Sequence, residues 1–273
     1  MYLKIRRNFM KKILFLVFIL FAGAAFAQNK SASFDLAFQM SNYEYREPEV
    51  DVKLSGPKYG MSGDFTAGGV GTSTPLFLSL QGLFMLGNIE YEGSVVNTST
   101  GQTSAYTADG IKDFYIEGRA LLGVSFEIPK TSLELWPYFG LGYRYLFNGM
   151  GEVQYGYDRE SRYTYAPLGL KAVLKASESW LFSLNAEYNL FLSGTQRSDW
   201  NGWIENEQEK GYGMRFSARI TKNFEKIGLF IEPFFRYWHI KDSKIAGVPG
   251  TTLYIYEPEN KTKETGLKLG ITF

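Results

Sequence analysis

The chain carries one histidine, His239, and it is the first residue to test for chemistry. An imidazole suits general acid–base work near neutral pH, and a carboxylate beside it can fix the tautomer. Asp242 follows three residues later and Ser243 supplies the neighbouring hydroxyl, while Asp109 and Asp113 are the acids that strand pairing could bring across. The set is incomplete, because no second acidic pair stands at a matching interval and Ser243 has no Asn or acidic partner at useful spacing. Asp199, Glu205, Glu207 and Glu209 offer oxygens for Ca2+, but without the spacing and glycine of a dedicated calcium loop. No phosphate-cradling glycine loop or dinucleotide fingerprint occurs. Cysteine is absent, which removes thiol catalysis, disulfides and thiolate metal sites. The sequence therefore assigns no catalytic, cofactor-binding or metal residue, and the expectation is a protein that is not an enzyme.

The elements that hold these groups are strands. Thr265, Leu267, Leu269, Ile271 and Phe273 alternate with Glu264, Gly266, Lys268, Gly270 and Thr272, a period of two that sorts apolar and polar residues onto opposite faces. Nine stretches upstream read the same way, at about 31–46, 57–68, 75–93, 110–128, 132–147, 161–176, 179–193, 209–221 and 226–240. The ninth is rougher, since Phe230, Phe234 and Trp238 share the parity of Glu232 and Arg236. Pro137, Pro167 and Pro233 fall inside strands and cannot donate to a ladder, so bulges are expected at each. Tyr163 and Tyr165 have the inward parity of Lys171, which fits a bulge near Pro167.

Connections alternate along the chain. Short ones at 69–74, 129–131, 177–178 and 222–225 interleave with longer polar ones at 47–56, 94–109, 148–160, 194–208 and 242–261. A membrane barrel with both termini in the periplasm needs that order, whereas a sandwich has no reason to sort its loops by parity. The fold class is all-β: a single antiparallel transmembrane β-barrel of about ten strands over residues 28–273, lipid outside and a polar lumen within. Aromatic residues make up 17% of the chain, enough to mark two membrane interfaces. The outer girdle is expected from Tyr43, Tyr45, Tyr59, Tyr115, Tyr143, Tyr145, Tyr188, Tyr212, Tyr237 and Trp238. The inner one is expected from Phe34, Phe77, Phe126, Trp180, Phe182 and Phe273.

Ahead of the barrel, Lys4, Arg6, Arg7, Lys11 and Lys12 precede an apolar run at 13–22, and Ala25-Phe26-Ala27 offers small residues to a signal peptidase. Residues 1–27 are expected to be a cleavable signal peptide, too short in its apolar part to span a bilayer. Its removal takes five bases and no acid, so the formal charge of +1 becomes −4. That balance excludes the basic field that nucleic acid requires.

Several strings resemble those of known barrels. Pro137-Tyr138-Phe139-Gly140-Leu141-Gly142-Tyr143 resembles a strand of the small opacity-type, porin-like outer-membrane barrels. The terminal Phe273, with apolar residues at alternate positions before it, is similar to the signal read by the barrel assembly machinery. Tyr157-Asp158-Arg159-Glu160-Ser161, Ala166-Pro167-Leu168-Gly169-Leu170 and Glu232-Pro233-Phe234-Phe235-Arg236-Tyr237-Trp238 look like strings in the same group. The resemblance implies a bacterial outer-membrane location, with outer-membrane lipid and lipopolysaccharide as surroundings, the assembly machinery as a partner in biogenesis, and a monomer. It implies little about activity, because the group is functionally diverse. Many small relatives have eight strands where this chain reads as ten. Ten-stranded proteases of the omptin group place an Asp–His pair and an Asp pair at the outer rim, but the His239–Asp242 interval is not theirs.

Inward parity collects nine acids, Asp35, Asp64, Asp113, Glu117, Glu127, Glu134, Glu187, Glu232 and Glu264. It also collects eight bases, Arg119, Arg144, Lys171, Lys175, Arg215, Arg219, Arg236 and Lys268. Ten strands lie close to the size at which side chains fill a barrel, and near-balanced charges interlock where they lose water. The expectation is a mostly plugged polar lumen in a non-enzymatic envelope protein that acts through its outer loops. The alternative is a narrow porin-like channel for ions or small solutes, and the least favoured reading is a surface hydrolase centred on His239.

Overall fold

The computed structural model describes residues 32–69, 75–96, 100–200 and 202–273, and the expected signal peptide at 1–27 lies outside the described residues. Ten long strands run in chain order: β1 (Ala32–Glu47), β2 (Val52–Gly68), β3 (Leu76–Val96), β4 (Thr103–Val124), β5 (Leu133–Gly149), β6 (Asp158–Lys175), β7 (Trp180–Asp199), β8 (Gly211–Asn223), β9 (Gly228–Ile240) and β10 (Asn260–Thr272). Each pairs antiparallel with its neighbours in sequence, and β10 also pairs with β1, so the sheet closes on itself. Phe34 and Phe273 exchange backbone hydrogen bonds of 3.2 and 2.9 Å at the seam.

The register fixes the geometry. Partners followed once round from Ala32 run through Ala67, Leu78, Leu122, Phe139, Leu168, Tyr188, Met214, Tyr237 and Lys263 and return at Glu44, twelve residues further along β1. With about 3.3 Å per residue and about 4.8 Å between strands, that stagger tilts the strands by about 40° and leaves about 2.5 Å of height per residue. The 22 residues of β4 then rise about 55 Å, roughly twice the apolar belt of an outer-membrane barrel. The 13 residues each of β8, β9 and β10 rise only about 33 Å. One wall is therefore tall and the other low.

This changes several expectations. Residues 47–56 are not a loop: β1 and β2 continue to a turn at 48–51, where Asp51 takes a φ of 50°. Much of 94–109 is strand as well, with a bulge where Ile89 pairs with Ile111 and Tyr91 with Ala108, at Gly110 with φ of 71°. Within 194–208, Trp203–Gln208 folds back on the upper end of β7. These segments are polar because they stand above the membrane, not because they lack ladders.

The prolines also differ from expectation. Pairing across Pro137 and Pro233 is continuous, and each ring simply leaves its one donor position empty. The bulge near Pro167 lies instead on β7, where Thr164 pairs with Ser193 and Tyr165 with Phe191. β6 keeps its parity, so Tyr163 and Tyr165 do face inward, 5% and 0% exposed. Phe230, Phe234 and Trp238 are likewise buried inside. The rough parity of the ninth strand was genuine packing.

Candidate functional site in the lumen

Outward positions form an apolar belt that includes Phe38, Met61, Leu80, Leu122, Phe139, Leu141, Leu168, Leu184, Phe216, Ile231 and Leu269, all exposed. Above it runs an aromatic arc in which Tyr212 lies 5.8 Å from Tyr188 and 6.0 Å from Tyr237. Phe114 continues the girdle 6.1 Å from Tyr145 and 5.3 Å from Phe147. Tyr43, Tyr115 and Trp238, expected in this girdle, are buried in the lumen instead, as is Phe77 from the inner set. A closed ladder with an apolar exterior, an aromatic collar and ionised groups inside has one stable solvent arrangement. The chain is a bacterial outer-membrane β-barrel.

Comparisons add outlines only. No described family and no curated relative matches the sequence. Among solved structures it is similar to the transport unit of the autotransporter AIDA-I from Escherichia coli, with a TM-score of 0.40 and 9% identity over 90% of this chain and 91% of that one. Outer membrane protein OprG from Pseudomonas aeruginosa gives 0.35 and 7% over 89% and 94%. The attachment invasion locus protein Ail of Yersinia pestis gives 0.31 and 8% over 89% and 99%. At such scores the barrel rests on the ladders of this chain itself.

The lumen has three zones. Its inner half is a vestibule of about 470 Å³, lined by Asp35, Asp64, Lys171, Arg219, Glu232 and Lys268 among others. Arg219 bridges Asp35 and Glu232 at 2.5 Å each, and Lys268 holds the other Glu232 oxygen at 2.6 Å. Asp64 accepts from Ser79 and Gln81 at 2.6 and 2.7 Å. Lys171 lies 5.6 Å from the Trp136 ring. Glu127 and Lys175 sit at the inner rim, where Lys175 also pairs with Glu134.

The middle zone is a plug. Arg119 donates to both oxygens of Glu187 at 2.7 and 2.9 Å, and Arg215 reaches Glu187 at 3.3 Å and Glu117 at 2.5 Å. Arg144 lies 3.8 Å from Glu117 and stacks 4.0 Å over the Tyr115 ring. Glu264 accepts from Ser41 at 2.7 Å and from Tyr115 at 2.7 and 2.9 Å, with Arg236 at 3.4 Å. The acids Glu117, Glu187 and Glu264 are each at most 4% exposed, so every charge depends on its partners rather than on water. Glycines make the room: a Cβ on Gly142 would stand 2.2 Å from the Tyr165 ring, and that ring packs 4.9 Å from Trp238.

The upper zone was only partly legible. Lys58, fully buried, pairs with Asp113 and lies 3.6 Å over the Tyr43 ring. Its parity matches that of Asp64, so the pattern carried the signal. Glu47, Arg159 and Glu257 form a buried cluster, Arg159 reaching Glu47 at 2.7 Å and Glu257 at 3.5 Å. All three lie in stretches that read as loops, where no parity exists to point them inward. Burial, with Glu47 close by, pushes the Glu257 carboxyl up to about 7, against the pull of Arg159.

The sequence-proposed chemistry does not assemble. His239 faces outward, its Nε2 2.8 Å from Glu259 and its ring 5.3 Å from Tyr212, whereas Asp113 is inside with Lys58. Asp242 accepts from the Glu259 backbone N–H at 2.6 Å, and Ser243 accepts from that of Glu257 at 2.7 Å. Glu205 pairs with Arg197, and Glu207 and Glu209 share Lys244. Among the described residues no group of three or more His, Asp or Glu could hold a metal ion.

Proposed function

We propose that this barrel is a non-enzymatic envelope protein whose lumen is closed to solutes and whose tall outer wall and loops act at the cell surface. The Arg144–Glu117–Arg215–Glu187–Arg119 chain across the lumen carries this reading. An ion entering it would have to break charge pairs that have no water to replace them. The placement of His239 on the lipid side, away from Asp113, supports the absence of catalysis.

One observation favours the narrow-channel reading: the vestibule of about 470 Å³ already occupies the inner half. Refolded protein in planar bilayers separates the two. The closed reading expects no conductance steps above leak, and steps appearing only when Arg144→Ala and Tyr115→Ala are combined. Steps in the unaltered protein would establish the channel instead. A hydrolase would show turnover that falls in His239→Ala.

A further inference from the structure

The outer ends of β9, β10 and β1 place a set of cations on the lipid side of the wall. Arg46 pairs in register with Lys261 and Lys261 with His239, while Glu44 pairs with Lys263 and Lys263 with Tyr237. Lys241 follows directly after β9. All share the outward parity of Tyr237 and Leu269, and Arg46, Lys241 and Lys263 are exposed. By the tilt and stagger of the sheet they stand about 28–35 Å above the inner rim, just over the apolar belt.

The charge there does not cancel. Arg46 is held by Glu44 at 2.9 Å, and Lys241, Lys261 and His239 converge on Glu259 at 2.5, 3.4 and 2.8 Å. Four permanent cations thus face two acids, a formal excess of two before His239 is counted. The opposite wall at the same height balances, Lys112 meeting Glu152 at 2.7 Å, Arg162 meeting Glu160 at 2.9 Å and Lys53 meeting Glu92 at 2.9 Å. Beneath the cations the same face offers Tyr237, Leu269, Ile231 and Phe38, a continuous track for acyl chains.

We infer that this patch is a binding site for the phosphates of an acylated saccharide lipid in the outer leaflet, the lipid anchor of lipopolysaccharide. A group that reaches these side chains must approach from the lipid side, at headgroup height, with its tails down. Two phosphates on one saccharide match the excess and its spread over three adjacent strands. Lysines supply point charges and Arg46 a planar fork for such oxygens.

Native mass spectrometry of the detergent-solubilised barrel tests this with four probes: the bisphosphorylated lipid, its dephosphorylated form, phosphatidylethanolamine and inorganic phosphate. The bisphosphorylated lipid is expected to bind best, and Lys261→Gln with Lys263→Gln to weaken it by about 25-fold, at about fivefold for each cation lost near the surface. Lys112→Gln with Arg162→Gln, on the balanced wall, is expected to change nothing. The single variant Lys263→Gln, with retained heat-modifiable migration, checks the result in a fold that is intact. Equal binding of the dephosphorylated lipid or phosphatidylethanolamine, equal loss in the balanced-wall variant, or no loss in either patch variant would overturn the site. Binding of inorganic phosphate alone would show an anion site that is not lipid-specific and would equally overturn it.

Discussion

The connection after β9, residues 241–259, should release from the barrel mouth as pH rises. It is held there by Glu257, 5% exposed, beneath which lie Glu47 and Tyr45 from β1 and Arg159 from β6. Tyr45 donates to Glu47 at 2.7 Å, and Arg159 gives its shorter contact to Glu47 rather than Glu257, so one guanidinium serves two acids. Burial raises the Glu257 carboxyl from an ordinary 4.5 to about 7. Because the docked value lies above the free one, docking is most stable below about pH 4.5 and loses stability as pH rises through about 7. At about 1.4 kcal/mol per unit the full loss is on the order of 3 kcal/mol. Between pH 5 and 9 the open fraction should then rise on the order of 100-fold. Glu259, in the same connection, is held down to about 2 chiefly by its hydrogen bond from Lys241 and stays ionised throughout. Glu257→Gln mimics the protonated form and should remove the dependence. Hydrogen exchange at the Ser243 and Glu257 amides, which bond to Glu257 O and Ser243 Oγ at 3.0 and 2.7 Å, reads the opening directly. Taking wild type relative to Glu257→Gln at each pH cancels the intrinsic pH dependence of exchange. A ratio that stays constant from pH 5 to 9 would refute the reasoning.

Two further outcomes follow from the barrel and its plug. Leu141, 61% exposed and about midway up the apolar belt, should tolerate arginine poorly: Leu141→Arg is expected to cost about 2–4 kcal/mol in urea unfolding from lipid vesicles, and a neutral effect would move the membrane boundary. Glu264→Ala leaves Arg236 buried and strips the acceptor of Ser41 and Tyr115, so a loss of about 3–5 kcal/mol is expected in the same assay. A loss below about 1 kcal/mol would show that water already serves that charge.

Side-chain alternation has a range of two residues, so Leu267, Leu269 and Ile271 declare their face without reference to anything distant. That local rule made the ten strands, their antiparallel order and most inward charges legible in the chain, Glu117, Glu187, Arg215 and Glu264 among them. It even contained Lys58, and it had already placed Trp238 and Tyr165 inside where the prolines suggested a slip. What it lacks is any statement of partnership. Arg144 meets Glu117, and Arg236 meets Glu264, only because closure with a twelve-residue stagger sets those levels opposite one another. The height of the walls, the vestibule beneath the plug, and the folding of Glu257 onto Glu47 and Arg159 were decided by that same closure. Periodicity is a property of neighbours along the chain, whereas a lumen is a property of strands that meet across it.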